Sequence, residues 1–150
     1  MGHAFMTSSN QGMTATDTQK NTVYYMAKKM SEPCAPEVFA VALCSHFVET
    51  YPLVLRAKVS IEVVPWGRFQ ANGKNAQPHD HGFIGEGEGC RTCVVSIDKA
   101  GNIDISAGIR NLKVLKTTQS GYAGFIHDKF TTLPDVSDRI LATAISCTWR

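Results

Sequence analysis

Residues Val54–Val64 run Val-Leu-Arg-Ala-Lys-Val-Ser-Ile-Glu-Val-Val. Leu55, Ala57, Val59, Ile61 and Val63 fall on one side of an extended chain, and Arg56, Lys58, Ser60 and Glu62 on the other. A period of two describes a strand with one face in a core and one in water. Such a face needs a covering layer, and the residues upstream supply one. Val23, Met26, Ala27 and Met30 recur at helical spacing and predict a first helix over roughly Thr18–Met30. Pro36, whose fixed φ and missing N–H suit a first helical turn, opens a second over about Pro36–Tyr51. This helix is expected to bury Phe39, Leu43 and Phe47, to turn Glu37, Ser45 and Glu49 to water, and to end at Pro52.

Downstream the extended character continues. Pro65–Pro78 reads as a polar excursion containing the turn dipeptide Asn72-Gly73. A second strand is expected from about His79 to Asp98, interrupted by the glycine-rich Gly85–Gly89, and Ala100-Gly101-Asn102 turns the chain. A third extended stretch covers Ile103 to about Gln119, and Ile140–Arg150 alternates once more, with Leu141, Thr143, Ile145, Cys147 and Trp149 on one face. Two consecutive helices followed by long, one-faced strands imply an α+β arrangement, an antiparallel sheet with both helices layered on one side. Its open edges favour pairing with another chain.

With 150 residues, 43% of them hydrophobic and 19% charged, the chain has the profile of one globular domain. A net charge of +2, with Lys and Arg dispersed, implies no nucleic-acid partner. No apolar run has the length of a membrane span, and Met1–Met13 lacks the features of a signal peptide, so no membrane association is expected. Met1–Met13 has no hydrophobic period and is expected to be a disordered tail. Five scattered cysteines do not form a disulfide framework and fit a reducing compartment.

Several groups could carry chemistry. Thr16-Asp17 stands at a helix start, where a hydroxyl and a carboxylate either cap the free amides or present themselves to a ligand. His79-Asp80-His81 places two imidazoles on one face of a strand but lacks a third ligand at a telling spacing, so a polar strand edge is the better reading and no metal is expected. Cys90-Arg91-Thr92-Cys93 is a lone CxxC outside any βαβ setting. Ser120–Thr143 gathers a ring (Tyr122) near Gly121 and Gly124, a Thr131-Thr132-Leu133-Pro134 corner and the step Asp138-Arg139. A ring, hydroxyls and a guanidinium brought together by one loop suit a flat anionic ring as substrate.

Taken in order, a set of segments resembles the urate oxidase (uricase) family: Thr14–Asp17 leading into Lys20–Tyr24 and Ala27–Lys29, then His46–Pro52, Val64-Pro65-Trp66, His79–Phe83, Ser106–Ile109 leading into Leu112–Ser120, and the Ser120–Thr143 stretch. The resemblance runs from about Thr14 to the end. It implies a partial tandem T-fold, in which residues 14–101 are the remainder of a first half with two helices and two strands, and residues 102–150 are the opening hairpin of a second. It also implies oxidation of urate by O2 to 5-hydroxyisourate and hydrogen peroxide without metal or organic cofactor, a homotetramer with sites at subunit interfaces, and a peroxisomal location, or a cytoplasmic one in the absence of the C-terminal targeting tripeptide that this sequence does not show. Thr16 matches the family's catalytic threonine and Asp17 its substrate-contacting neighbour. Tyr122 matches the ring that stacks on the purine, where phenylalanine is usual, Leu133 a pocket wall, and Arg139 the arginine that clamps the anion.

The same resemblance leads us to expect that this chain lacks the first hairpin, with the lysine that activates the threonine. It should also lack most of the second half, with a glutamine, an asparagine and a histidine. The alternative is a non-catalytic fragment that associates with full-length subunits or binds a purine through Tyr122 and Arg139.

Overall fold

The computed structural model of the chain describes residues 2–30, 33–70 and 77–150. Along the chain come helices α1 (Gly2–Thr7), α2 (Thr16–Lys29) and α3 (Pro36–Thr50), then strands β1 (Arg56–Val63), β2 (Trp66–Gln70), β3 (Pro78–Gly85), β4 (Cys90–Asp98), β5 (Ile103–Tyr122) and β6 (Val136–Trp149). Four strands form one sheet in the order β1-β4-β5-β6, and β2 and β3 form a separate antiparallel pair. The architecture is α+β with an antiparallel sheet, as the sequence implies.

Three expectations need correction. Gly2–Thr7, inside the segment expected to be a disordered tail, is a short helix; one and a half turns carry too few residues for any apolar period to announce them. Trp66–Gln70, read as part of a polar excursion, is a strand that pairs with β3, Trp66 opposite Gly85 and Arg68 opposite Phe83. The single interrupted strand from His79 to Asp98 is two strands in two sheets, parted where Gly87 takes φ +102°, a conformation open to glycine. Asn72-Gly73 lies outside the described residues.

The chain divides into two compact units, Met1–Ile61 with Cys93–Ala107 and Arg150, and Glu62–Thr92 with Gly108–Trp149. In the first, Ala40 and Cys44 of α3 are buried with Cys93, Val95 and Ile97 of β4, and Ala57, Val59 and Ile61 of β1 pack against them. The inward alternation read from Val54–Val64 holds in the middle of that run, while Leu55 is exposed. The deepest stripe of α3 is Ala40, Leu43, Cys44 and Val48. Phe39 and Phe47, expected in the core, are only partly covered, because the small side chains at 40 and 44 form the face on which the helix meets the sheet. The Cys44 thiol donates to the Val95 carbonyl at 3.5 Å. Lys99, past β4, donates its ammonium to the carbonyls of Val48 and Pro52 at 3.4 and 3.3 Å and so ties the end of α3 to the sheet.

Burial also sets thiol chemistry: desolvation pushes the Cys44 thiol up, against the opposing backbone hydrogen bonds at Val59 and Ile97. Cys44, Cys90 and Cys93 are buried, whereas Cys34 and Cys147 are exposed. In the native chain a thiol-specific reagent is therefore expected to modify Cys34 and Cys147 rapidly and the other three only on unfolding. Fast native labelling of Cys44 or Cys93, read by peptide mass spectrometry, would contradict this core.

After β4, Asp98 closes the turn by accepting from Asn102 Nδ2 at 2.8 Å and from the amides of Ala100 and Asn102, each at 3.0 Å. These bonds, the Asn102 side chain foremost, hold the Asp98 carboxyl below its usual range. A depressed folded value means that the carboxylate adds stability above the unfolded aspartate value, roughly 3.9, and loses it as the pH falls through the folded one. Asp98→Ala is expected to be less stable than the parent chain near neutrality and to converge with it in acid. Parallel urea titrations across pH would expose a constant difference, if there is one.

The second unit leaves much apolar surface uncovered. On β6, Leu141, Ile145 and Trp149 share the alternating face read from the sequence, yet all are exposed, Trp149 to 51%. Charged pairs brace this unit at its surface: Arg110 forks onto both carboxylate oxygens of Glu62 at 2.6 Å, and Lys113 meets Glu88 at 2.8 Å. Among the described residues no helix is long and apolar enough to cross a membrane.

Candidate functional site

The second unit contains a pocket of about 290 Å³ lined by Ser120, Gly121, Tyr122, Leu133, Arg139 and Leu141. Its first wall is the end of β5, its second the start of β6, where Arg139 and Leu141 share a face by alternation. Leu133 comes from the connecting loop. Tyr122, Leu133 and Arg139, singled out from the sequence, are thus brought together.

The loop that joins the strands is braced by its own side chains. Tyr122 stacks on Phe125 with ring centroids 4.6 Å apart and planes 14° apart, and Phe125 stacks on His127 at 4.4 Å and 20°. His127 Nε2 meets Asp135 Oδ1 at 3.1 Å. The other oxygen of Asp135 accepts the amide of Gly124, which turns the chain at φ +73°. Asp128 caps the far corner, accepting from the Phe130 amide and the Thr131 hydroxyl at 2.8 and 3.1 Å. One face of the Tyr122 ring is therefore backed by aromatic carbon, while the residue remains 51% exposed. Among the described residues no hydrogen bond or ion pair engages the Arg139 guanidinium. A half-exposed ring and an unengaged fork of N–H donors can together receive a flat anion.

Phe125, His127 and Asp135 are the members of this arrangement that sequence reading missed. The signal was there in the spacing of the aromatics after Gly121, but their stacking depends on the turn at Gly124.

Thr16 and Asp17 belong to the first unit. Thr16 opens α2, with Ala15 as N-cap and no side-chain cap bond. The capping alternative read from the sequence is therefore not realised: the Asp17 carboxylate instead accepts from Asn21 Nδ2 at 2.9 Å and pairs with Lys20 at 3.2 Å. Thr16 lines a cavity of about 570 Å³ with Thr14, Gln19, Lys20 and Val23 on one side and residues of β1 on the other.

The rings of His79 and His81 meet edge to face at 6.4 Å, with His79 Nδ1 accepting the His81 amide. Among the described residues no three His, Cys, Asp or Glu side chains are grouped to hold a metal ion. Cys90 and Cys93 are buried in β4.

Known proteins resemble the chain as a whole. The chain is 44% identical to uricase-2 isozyme 2 of Glycine max over 148 residues, and 44% identical to the uricase of Oryctolagus cuniculus over 146. These alignments take in 99% and 97% of this chain but 47% of each relative, so the chain spans about half the length of the curated relatives it matches. The crystal structure of uricase from Arthrobacter globiformis superposes with a TM-score of 0.73 at 37% identity, covering 98% of this chain and 48% of that one. A uricase from Bacillus fastidious, at 22% identity and a TM-score of 0.78, shares the fold. The matched region starts at residue 3, earlier than Thr14, where the sequence resemblance begins. With the uricase family model matching residues 3–96 and 105–150, the chain belongs to the uricase family and has its T-fold.

Proposed function

We propose that the chain serves urate oxidation: urate lies on the exposed face of Tyr122, its anionic edge held by the Arg139 fork and its flank by Leu133. The grouping of these three side chains around one pocket carries the proposal. The reaction is the two-electron oxidation of urate to 5-hydroxyisourate, with water supplying the new hydroxyl and O2 reduced to hydrogen peroxide. Thr16 passes protons and Asp17 contacts the substrate; both come from another subunit of a homotetramer, so that sites form at subunit interfaces. The chemistry asks for no metal and no organic cofactor, since urate itself delivers the electrons. In this reading residues 14–101 and 102–150 belong to successive halves of a tandem T-fold, and the protein works in the peroxisome.

The test is a urate titration of the purified chain followed by calorimetry, with a parallel assay for urate loss and peroxide release. Saturable urate binding is the expected result. Absence of both binding and turnover would remove the proposal. A second reading, a non-catalytic partner of full-length uricase subunits, is favoured by the exposed Leu141, Ile145 and Trp149 on β6 and by the half-length match. Co-migration of the chain with an intact uricase on a sizing column supports it, and independent migration counts against it.

A further inference from the structure

We infer that Asp138 is a positioning residue that sets the gap between Tyr122 and Arg139. The inference rests on the reading of the pocket as a urate site. Gln119 lies inside β5 yet has φ +61°, in the left-handed region that side chains other than glycine rarely adopt. A residue held there must be secured by its surroundings, and here both of its backbone polar groups are taken up by side chains. Asp138 Oδ1 accepts the Gln119 amide at 2.6 Å, and Lys116 Nζ donates to the Gln119 carbonyl at 2.6 Å. The same carboxylate accepts the Thr118 hydroxyl through both oxygens, at 3.0 and 3.1 Å.

The next residues along β5, Ser120, Gly121 and Tyr122, form one wall of the pocket, and the residue after Asp138 is Arg139 of the other wall. An irregular residue in a strand re-aims the side chains that follow it. One carboxylate on β6 therefore fixes the direction in which β5 delivers Tyr122. The two strands run close at this point: a Cβ on Gly121 would sit 3.1 Å from the Ser137 carbonyl oxygen. Asp138 alternates with Arg139 and Leu141 and is absent from the pocket lining, so it acts on the ligand through the backbone rather than by contact.

A charge acting at a distance and a backbone anchor make opposite forecasts. Removing a carboxylate beside an anion site would strengthen urate binding, whereas removing the anchor weakens it. The expected result is that Asp138→Ala lowers urate affinity about tenfold, and that adding Gln119→Gly recovers most of the loss, because glycine adopts the left-handed conformation without an anchor. Unchanged or tighter binding in D138A, or an equal loss with and without Q119G, overturns the inference. Where D138A does not fold, Asp138→Asn, which keeps an acceptor for the Gln119 amide but not the charge, is measured instead: affinity no higher than the parent's is expected, and tighter urate binding overturns the inference. Amide hydrogen exchange over residues 119–122 judges the anchor independently of urate. Faster exchange in the Asp138 variant is expected, and unchanged exchange overturns the inference. If the parent chain does not bind urate, the functional reading fails while the exchange result still decides the anchor.

Discussion

Arg139→Ala is expected to weaken urate binding by about two orders of magnitude. A guanidinium presents paired donors in a planar fork, and hydrogen bonds to charged groups are worth about 1.5–3 kcal/mol each. Loss of one to two such bonds corresponds to roughly 10²-fold at 1.4 kcal/mol per decade. The pocket offers no substitute, because its other lining side chains are hydroxyls, aliphatic groups and a ring. Arg139→Lys keeps the charge but loses the fork, and about a tenfold loss is expected. Tyr122→Phe should bind urate almost as well as the parent chain, since the stacking surface is the ring and Phe125 still backs it; Tyr122→Ala should not. Titration calorimetry with urate separates these variants. An Arg139→Ala chain that binds like the parent would remove the clamp from the proposed function.

The second large effect is on stability. Val95 is 0% exposed and sits among Ala40, Cys44, Cys93 and Ile97, where helix α3 meets β4. Val95→Ala removes buried apolar surface and leaves a cavity between two regular elements that cannot easily collapse, which costs about 2–3 kcal/mol. Against a typical total of about 5–15 kcal/mol, this is enough to lower the urea midpoint substantially. Val95→Asp adds an unpaired buried charge and is expected to prevent folding. Val59, on the neighbouring strand but only partly covered, should tolerate alanine at a smaller cost. If Val95→Ala unfolds at the same urea concentration as the parent chain, α3 does not seal the sheet in the way described.

Much of this molecule is legible from local pattern. The alternation in Val54–Val64, the proline that opens α3 and the run that becomes β5 each reside in a few neighbouring residues, and neighbours are what periodicity reads. The residues that turned out differently depend on contacts that periodicity does not read, some with partners far along the chain and one within a single helix. Trp66–Gln70 is a strand because β3 pairs with it. Phe39 and Phe47 yield the deepest positions on α3 to Ala40 and Cys44 because β4 comes close there. Asp17, a plausible cap in the sequence, turns instead to Asn21 and Lys20 along its own helix.

Ordered sequence motifs were enough to identify the uricase family and its candidate residues, since a family signature is carried by residue types in sequence. Only the tertiary structure could decide that Tyr122, Leu133 and Arg139 line one pocket. Their meeting depends on a left-handed residue pinned by Asp138, a glycine turn pinned by Asp135, and a stack of three rings. The first two join residues 19 and 11 apart in sequence, and the ring stack, though local, forms where Gly124 turns the chain.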